Sequence, residues 1–223
     1  MIEAKNLFLS YTKDYFTLYD INIKINSGEK VVLCGKSESG KSSLLRVITG
    51  LEKPFSGSVT IKGIPSDKID YQKDISLAYL PSFPLFMENK TVKQNLEYTL
   101  KIRKTNKQII DVKISNIIRS FDLETILDMK LKNLSYFNRL KVALARFALR
   151  NIEVFIIDDV FVELNETESK KIIGFINDLV TVNSATLFIA TSNDKYNKLL
   201  GERVINIENG SIVNYNLGEN NEK

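Results

Sequence analysis

The run Gly35-Lys36-Ser37-Glu38-Ser39-Gly40-Lys41-Ser42 fits the spacing G-x-x-x-x-G-K-[ST] and directly follows the apolar stretch Val31-Val32-Leu33-Cys34. A strand, a glycine-bracketed loop and a helix start in that order build a phosphate cradle. Gly35 and Gly40 let the backbone turn so that successive N–H groups point inward at phosphate oxygens. The helix opening at Lys41 aims its positive dipole end at the same spot. Lys41 is placed to bridge the β- and γ-phosphates and the Ser42 hydroxyl to ligate Mg2+, with Ser43 closing the phosphate-binding run. A second apolar run, Val154-Phe155-Ile156-Ile157, delivers Asp158 to a strand end expected beside this loop, where a carboxylate can hold Mg2+ through its water shell. The chain has no histidine and one cysteine, Cys34, which removes imidazole bases, disulfides and thiolate zinc sites. Any general base is a carboxylate.

The elements that must position these groups follow from hydrophobic period. Residues 2–11 and 16–26 alternate, with Leu18, Ile21, Ile23 and Ile25 on one face, as antiparallel strands do. Residues 29–34 form the strand entering the loop, 41–50 a helix stopped by Gly50, and Val59-Thr60-Ile61 a short strand between glycine turns. After a strand at 75–80, the pattern is helical from Thr91 to about Arg150, with polar breaks near 104–107 and 128–133. Strand character returns at 154–158 and 186–191 around an amphipathic helix carrying Ile172, Ile173, Ile176, Leu179 and Val180, an order that demands a parallel sheet. Asn209-Gly210 between Val204–Ile207 and Ile212–Tyr215 reads as a hairpin. The expected fold is α/β, with an N-terminal antiparallel layer, a mixed sheet and a helical insertion.

At 223 residues and 43% hydrophobic content the chain can bury one substantial core. No apolar run approaches the roughly 18 residues of a membrane span, and the N-terminus lacks the layout of a secretion signal, so the expected place is the reducing side of a membrane. The formal charge of +4 is mild. The denser basic stretch Lys101, Arg103, Lys104, Lys107 has no interleaved aromatic residues and reads as a solvated helix end, so no nucleic acid is expected.

This order of elements resembles the nucleotide-binding subunit of ABC transporters over nearly the whole chain, residues 1 to about 214. Leu7 to Tyr11 looks like that family's A-loop, which implies Tyr11 stacking on adenine. Thr49-Gly50-Leu51-Glu52-Lys53-Pro54 with Ser56-Gly57 is similar to the turn after its phosphate-loop helix. Leu134-Ser135 with 139–146 occupies the place of its signature helix. The resemblance implies one P-loop domain over 1–223, its core at about 1–86 and 151–215, a helical subdomain inserted at about 87–150, and a polar tail at 216–223. It also implies ATP and Mg2+ as cofactors, head-to-tail dimers in which Ser135 reaches the partner's nucleotide, and a separate integral membrane permease on whose cytoplasmic face the subunit sits. The layout around Thr91–Leu96 is more similar to importer subunits than to exporter halves.

Several positions depart from the family pattern. Where the signature reads Leu-Ser-Gly-Gly-Gln, this chain has Leu134-Ser135-Tyr136-Phe137-Asn138, and two aromatic side chains stand where glycines let a helix start approach a phosphate. The family's base glutamate falls at Asp159, shorter by a methylene and so retracted by about 1.5 Å. Its switch histidine falls at Ser192, its Q-loop glutamine, a Mg2+ ligand, at Ser82 or Pro81, and its D-loop at Val162-Glu163-Leu164-Asn165. Binding groups are kept while hydrolytic groups are changed, so the expectation is MgATP binding with weak or absent hydrolysis. An asymmetric heterodimer with an intact ATP-binding subunit suits this better than a homodimer. A non-transport regulatory module signalling through a membrane partner is the alternative of a different class.

Overall fold

The computed structural model describes residues 1–12, 15–71, 74–102 and 107–215. The chain divides into two compact units. The first comprises the described residues of Met1–Ser82, Glu153–Val162 and Ser184–Lys223, and the second those of Phe83–Ile152 and Glu163–Asn183.

The first unit holds two sheets. Strands β1 (Ile2–Ser10), β2 (Phe16–Ile25), β4 (Ser56–Ile61) and β5 (Ile64–Pro65) form an antiparallel sheet in the order β2-β1-β4-β5. The alternation slips once in each long strand. Asn6 and Asp20 adopt left-handed φ values of 44° and 46°, and the extra residue returns Leu7 and Ile21 to the buried face. Asn and Asp tolerate this conformation because their short polar side chains bond locally, and here Asn6 Nδ2 donates to Asp20 Oδ1 at 3.2 Å.

The second sheet has the order β10-β9-β3-β8-β7-β6, from β3 (Lys30–Cys34), β6 (Leu77–Leu80), β7 (Val154–Asp158), β8 (Thr186–Thr191), β9 (Arg203–Glu208) and β10 (Ser211–Tyr215). All pairings are parallel except the β9–β10 hairpin. Every residue of β7 and β8 is buried, as continuous apolar runs require at the centre of a parallel sheet. The phosphate loop leaves the end of β3, and α1 (Lys41–Ile48) packs against β7. Strand β8 lies between β3 and β7, so Asp158 approaches the loop from the next strand but one. Short α6 (Asn197–Leu200) precedes β9.

The second unit is helical: α2 (Val92–Lys101), α3 (Lys107–Ser120), α4 (Tyr136–Ala148) and α5 (Glu166–Asn183). Thr91 starts α2 with a reciprocal cap, accepting from the Gln94 N–H while its own N–H donates to Gln94. Arg139 donates to Glu88 and to the Leu131 carbonyl, and the Phe86 ring lies under both Arg139 and Arg146. Helix α5 groups with these helices, whereas its sequence position between two core strands suggests the first unit. The basic residues 103 and 104 and the tail expected at 216–223 lie outside the described residues.

Candidate functional site

The phosphate loop is built by close backbone approach. Gly35 N–H donates to the Thr191 carbonyl at 3.2 Å, and a Cβ on Gly35 would sit 2.4 Å from the Ile207 carbonyl oxygen and 2.6 Å from Ser39 Oγ. No side chain fits there. Lys36, Ser37 and Glu38 are exposed, Ser39 is buried, and Glu38 and Gly40 take φ values of 65° and 102°. Alternating left-handed residues of this kind turn amides to one side and form an anion-binding concavity. Helix α1 begins at once, with Leu44 N–H donating to the Gly40 carbonyl at 2.9 Å. Its first residue, Lys41, is only 5% exposed, and its ammonium donates to the Gly35 and Lys36 carbonyls at 2.7 Å each. Burial pushes the Lys41 amine below its ordinary value, and the nearby Asp159 and Asp158 carboxylates pull it partly back. Ser39 Oγ is buried with no hydrogen-bond partner, and such an orphan costs free energy unless a ligand satisfies it. The loop therefore fits a phosphate.

Asp158 closes the other side. Ser42 Oγ donates to its Oδ1 at 2.9 Å. Asp158 is 5% exposed, and burial raises its pKa while the Ser42 and Tyr79 hydroxyls and the Lys41 charge stabilise its ionised form. A hydroxyl and a desolvated carboxylate held together form an all-oxygen donor pair suited to Mg2+, which keeps most of its waters and takes one or two protein ligands. Sequence reasoning missed Tyr79. Tyr79 pairs with Ile156 across β6 and β7, so the period of two places it on the same face as Asp158. Burial, reinforced by Asp158, pushes its phenol up to about 12. The Ser82 hydroxyl donates to the Asp158 backbone carbonyl at 2.8 Å.

Two departing positions meet. Asp159, at a left-handed φ of 39°, donates its N–H to the Ala190 carbonyl at 3.1 Å. One carboxylate oxygen accepts the Ser192 N–H at 3.2 Å, and the other lies 3.8 Å from Lys41 Nζ. Asp159 is thus paired with the loop lysine and the residue in the switch position.

Tyr11 is exposed, and its hydroxyl donates to Glu52 at 2.6 Å and accepts from the Ser43 hydroxyl at 3.3 Å, anchoring the strand end to α1. In the second unit, Ser135 caps α4 by accepting the Asn138 N–H at 3.4 Å. The flanking aromatics pack within their own unit: Tyr136 tilts against Phe83 with centroids 6.0 Å apart, and Phe137 lies under the Lys141 ammonium.

A P-loop on α1, an acid ending β7 and a capped helix at Ser135 are a combination that comparison with known proteins can place. The ABC transporter family profile matches residues 18–162. The chain belongs to the ABC transporter family. Among this family's proteins, the sn-glycerol-3-phosphate import ATP-binding protein UgpC of Bartonella bacilliformis is 36% identical over 159 residues, 71% of this chain and 46% of that protein. The probable sulfate/thiosulfate import ATP-binding protein CysA of Chlorella vulgaris is 30% identical over 194 residues, 86% of this chain and 81% of that protein. Against the UgpC relatives the chain spans about half the length. An ATP-binding cassette solved as a dimer in a post-hydrolysis state with ADP and Pi shares the fold at a TM-score of 0.83, with 24% identity, 96% of this chain and 97% of that one covered. Within an ABC cassette fold, this chain keeps the phosphate-loop residue types and carries Asp159 and Ser192 in contact with each other. Among its described residues no helix is long and apolar enough to cross a membrane.

Proposed function

We propose that this chain is the ATP-binding subunit of an ABC transporter of the import type, seated on the cytoplasmic face of a separate membrane permease, and that it binds MgATP with weak hydrolysis of its own. The observation that carries this reading is the pairing of an intact phosphate cradle with a diverted carboxylate: Lys41, Ser39 and the Ser42–Asp158 pair are ready for phosphate and metal, while Asp159 is tied to Lys41 and the Ser192 N–H.

Residues 35–43 bind and orient the phosphates, with Lys41 turning from the loop carbonyls to the ligand, and Ser42 and Asp158 hold the metal. Mg2+, when bound, neutralises phosphate charge. Asp159, which follows Asp158, is the candidate base; shorter than the family's glutamate by a methylene and 3.8 Å from Lys41 Nζ, it is set back from an attacking water. In this reading Tyr11 stacks on adenine and Ser135 reaches a partner subunit's nucleotide, as the family resemblance implies. The import-named relatives support the transport role, and in a heterodimer with an intact ATP-binding subunit the second site keeps that partner's own base and switch residue. The test is MgATP affinity and turnover of the purified chain beside Lys41→Ala. Tight binding lost in Lys41→Ala with negligible turnover supports the reading; no MgATP binding by the folded wild type overturns it.

A further inference from the structure

We propose that the turn of the C-terminal hairpin holds the phosphate loop in its ligand-ready shape, with Gly210 as the positioning residue; this rests on the nucleotide-binding reading above. Asn209 and Gly210, at φ values of 46° and 76°, form the two-residue turn between β9 and β10. Gly210 is buried although it sits at a hairpin tip. Its N–H donates to the Ser39 carbonyl at 3.0 Å, and its carbonyl accepts the Tyr19 N–H at 2.9 Å. One residue thereby ties the phosphate loop to β2.

The space around this crossing admits only glycine. A Cβ on Gly210 would stand 2.2 Å from the Thr17 carbonyl oxygen and 3.3 Å from Leu18 Cα. A Cβ on Gly40 would stand 3.2 Å from the same Thr17 oxygen and 3.4 Å from Gly210 Cα. Three backbone segments, the start of β2, the phosphate loop and the hairpin turn, therefore meet closely, with Leu18 Cδ2, 3.0 Å from a Cβ on Gly40, packed beside the crossing.

The consequence for ligand binding follows from peptide planarity. The Ser39 carbonyl and the Gly40 N–H belong to one trans peptide and point in opposite directions. Holding the carbonyl toward Gly210 fixes the Gly40 N–H on the side facing away from the hairpin, and it sets the backbone that carries the unpartnered Ser39 hydroxyl. The hairpin thus preorganises two donors of the cradle before any phosphate arrives, which saves the ordering cost at binding.

The experiment compares Gly210→Ala with Gly63→Ala. Gly63 has a similar φ of 79° but nothing within 4 Å of an added Cβ, so the two variants share the backbone penalty and differ in crowding. Affinities for MgATP and for magnesium pyrophosphate are measured on folded protein. Gly210→Ala is expected to weaken both about tenfold, the upper range for one lost hydrogen bond, and Gly63→Ala to leave both unchanged. Folded Gly210→Ala binding within twofold of wild type overturns the proposal. Should Gly210→Ala fail to fold, amide hydrogen exchange on the wild type decides. Saturating MgATP is expected to slow the Gly210 and Gly40 amides by the same factor; a Gly210 amide that MgATP leaves unchanged overturns the proposal. A folded wild type that binds neither probe refutes the nucleotide reading itself, an outcome distinct from normal binding by Gly210→Ala.

Discussion

Replacing Asp159 by Asn removes the anion that competes with phosphate for Lys41. At 3.8 Å and an effective dielectric of about 20, the gross attraction is about 4 kcal/mol. Most of this is returned as the cost of burying both charges, which are 5% and 15% exposed at their side chains. A phosphate that takes over Lys41 recovers the lysine's partner but must displace Asp159 and sit beside its charge. The net effect expected for Asp159→Asn is about 1.4 kcal/mol tighter MgATP binding, roughly tenfold in Kd. Without ligand, Lys41 keeps only the two loop carbonyls, so the apo protein loses stability, with Tm falling about 3 °C for each kcal/mol in a chain of this size. Isothermal titration and thermal unfolding on the same samples read both quantities. Weaker MgATP binding by Asp159→Asn than by wild type, or a rise in apo stability, rules out competition between Asp159 and phosphate for Lys41.

Further outcomes follow from the same geometry. Asp158→Asn abolishes the Mg2+ dependence of ATP affinity, checked by titration with and without EDTA, and leaves apo Tm equal or up to about 3 °C higher because a buried carboxylate is removed. Since burial raises the folded pKa of Asp158 above its unfolded value, its favourable contribution is complete below the unfolded carboxylate range and is lost as pH rises through the raised value; the unfolding free energy of Asp158→Asn lacks that slope. Glu88→Gln breaks the pair that holds Glu88 below the ordinary carboxylate range, chiefly through the Arg139 hydrogen bond. Glu88 is 43% exposed, so the expected cost is about 1 kcal/mol, with MgATP affinity unchanged. The double change Asp159→Glu with Ser192→His raises ATP turnover at least about tenfold over wild type by steady-state assay, with each single change giving less than its share.

Much of the fold is legible in the residues. The buried runs Val154–Ile157 and Thr186–Ala190 declare a parallel centre, and the alternation of β1 and β2 declares the antiparallel layer, interrupted where Asn6 and Asp20 supply bulges that alternation cannot foresee. The phosphate loop is legible because its chemistry is local: nine consecutive residues do the work. Pairings that cross the sheet are not. Tyr79 reaches Asp158 through strand register, Asp159 meets Ser192 because β7 and β8 are neighbours, and Gly210 meets Ser39 because the hairpin folds back over the loop. Each depends on tertiary placement that no local spacing encodes. Tyr136 and Phe137, expected from sequence to crowd the approach of the α4 start to a partner's phosphate, pack against Phe83 and Lys141.

The central claim is that this chain binds MgATP through Lys41 and hydrolyses it very slowly. Single-turnover measurement on wild type and Lys41→Ala, with affinity taken from the same preparation, tests it most directly. Saturable MgATP binding that Lys41→Ala abolishes is expected, with cleavage of the bound nucleotide at least 10²-fold below the roughly 1 s⁻¹ lower end of ordinary enzymes. Rapid, Lys41-dependent cleavage by the chain alone contradicts it, because Asp159, held as the structure holds it, would then be an effective base.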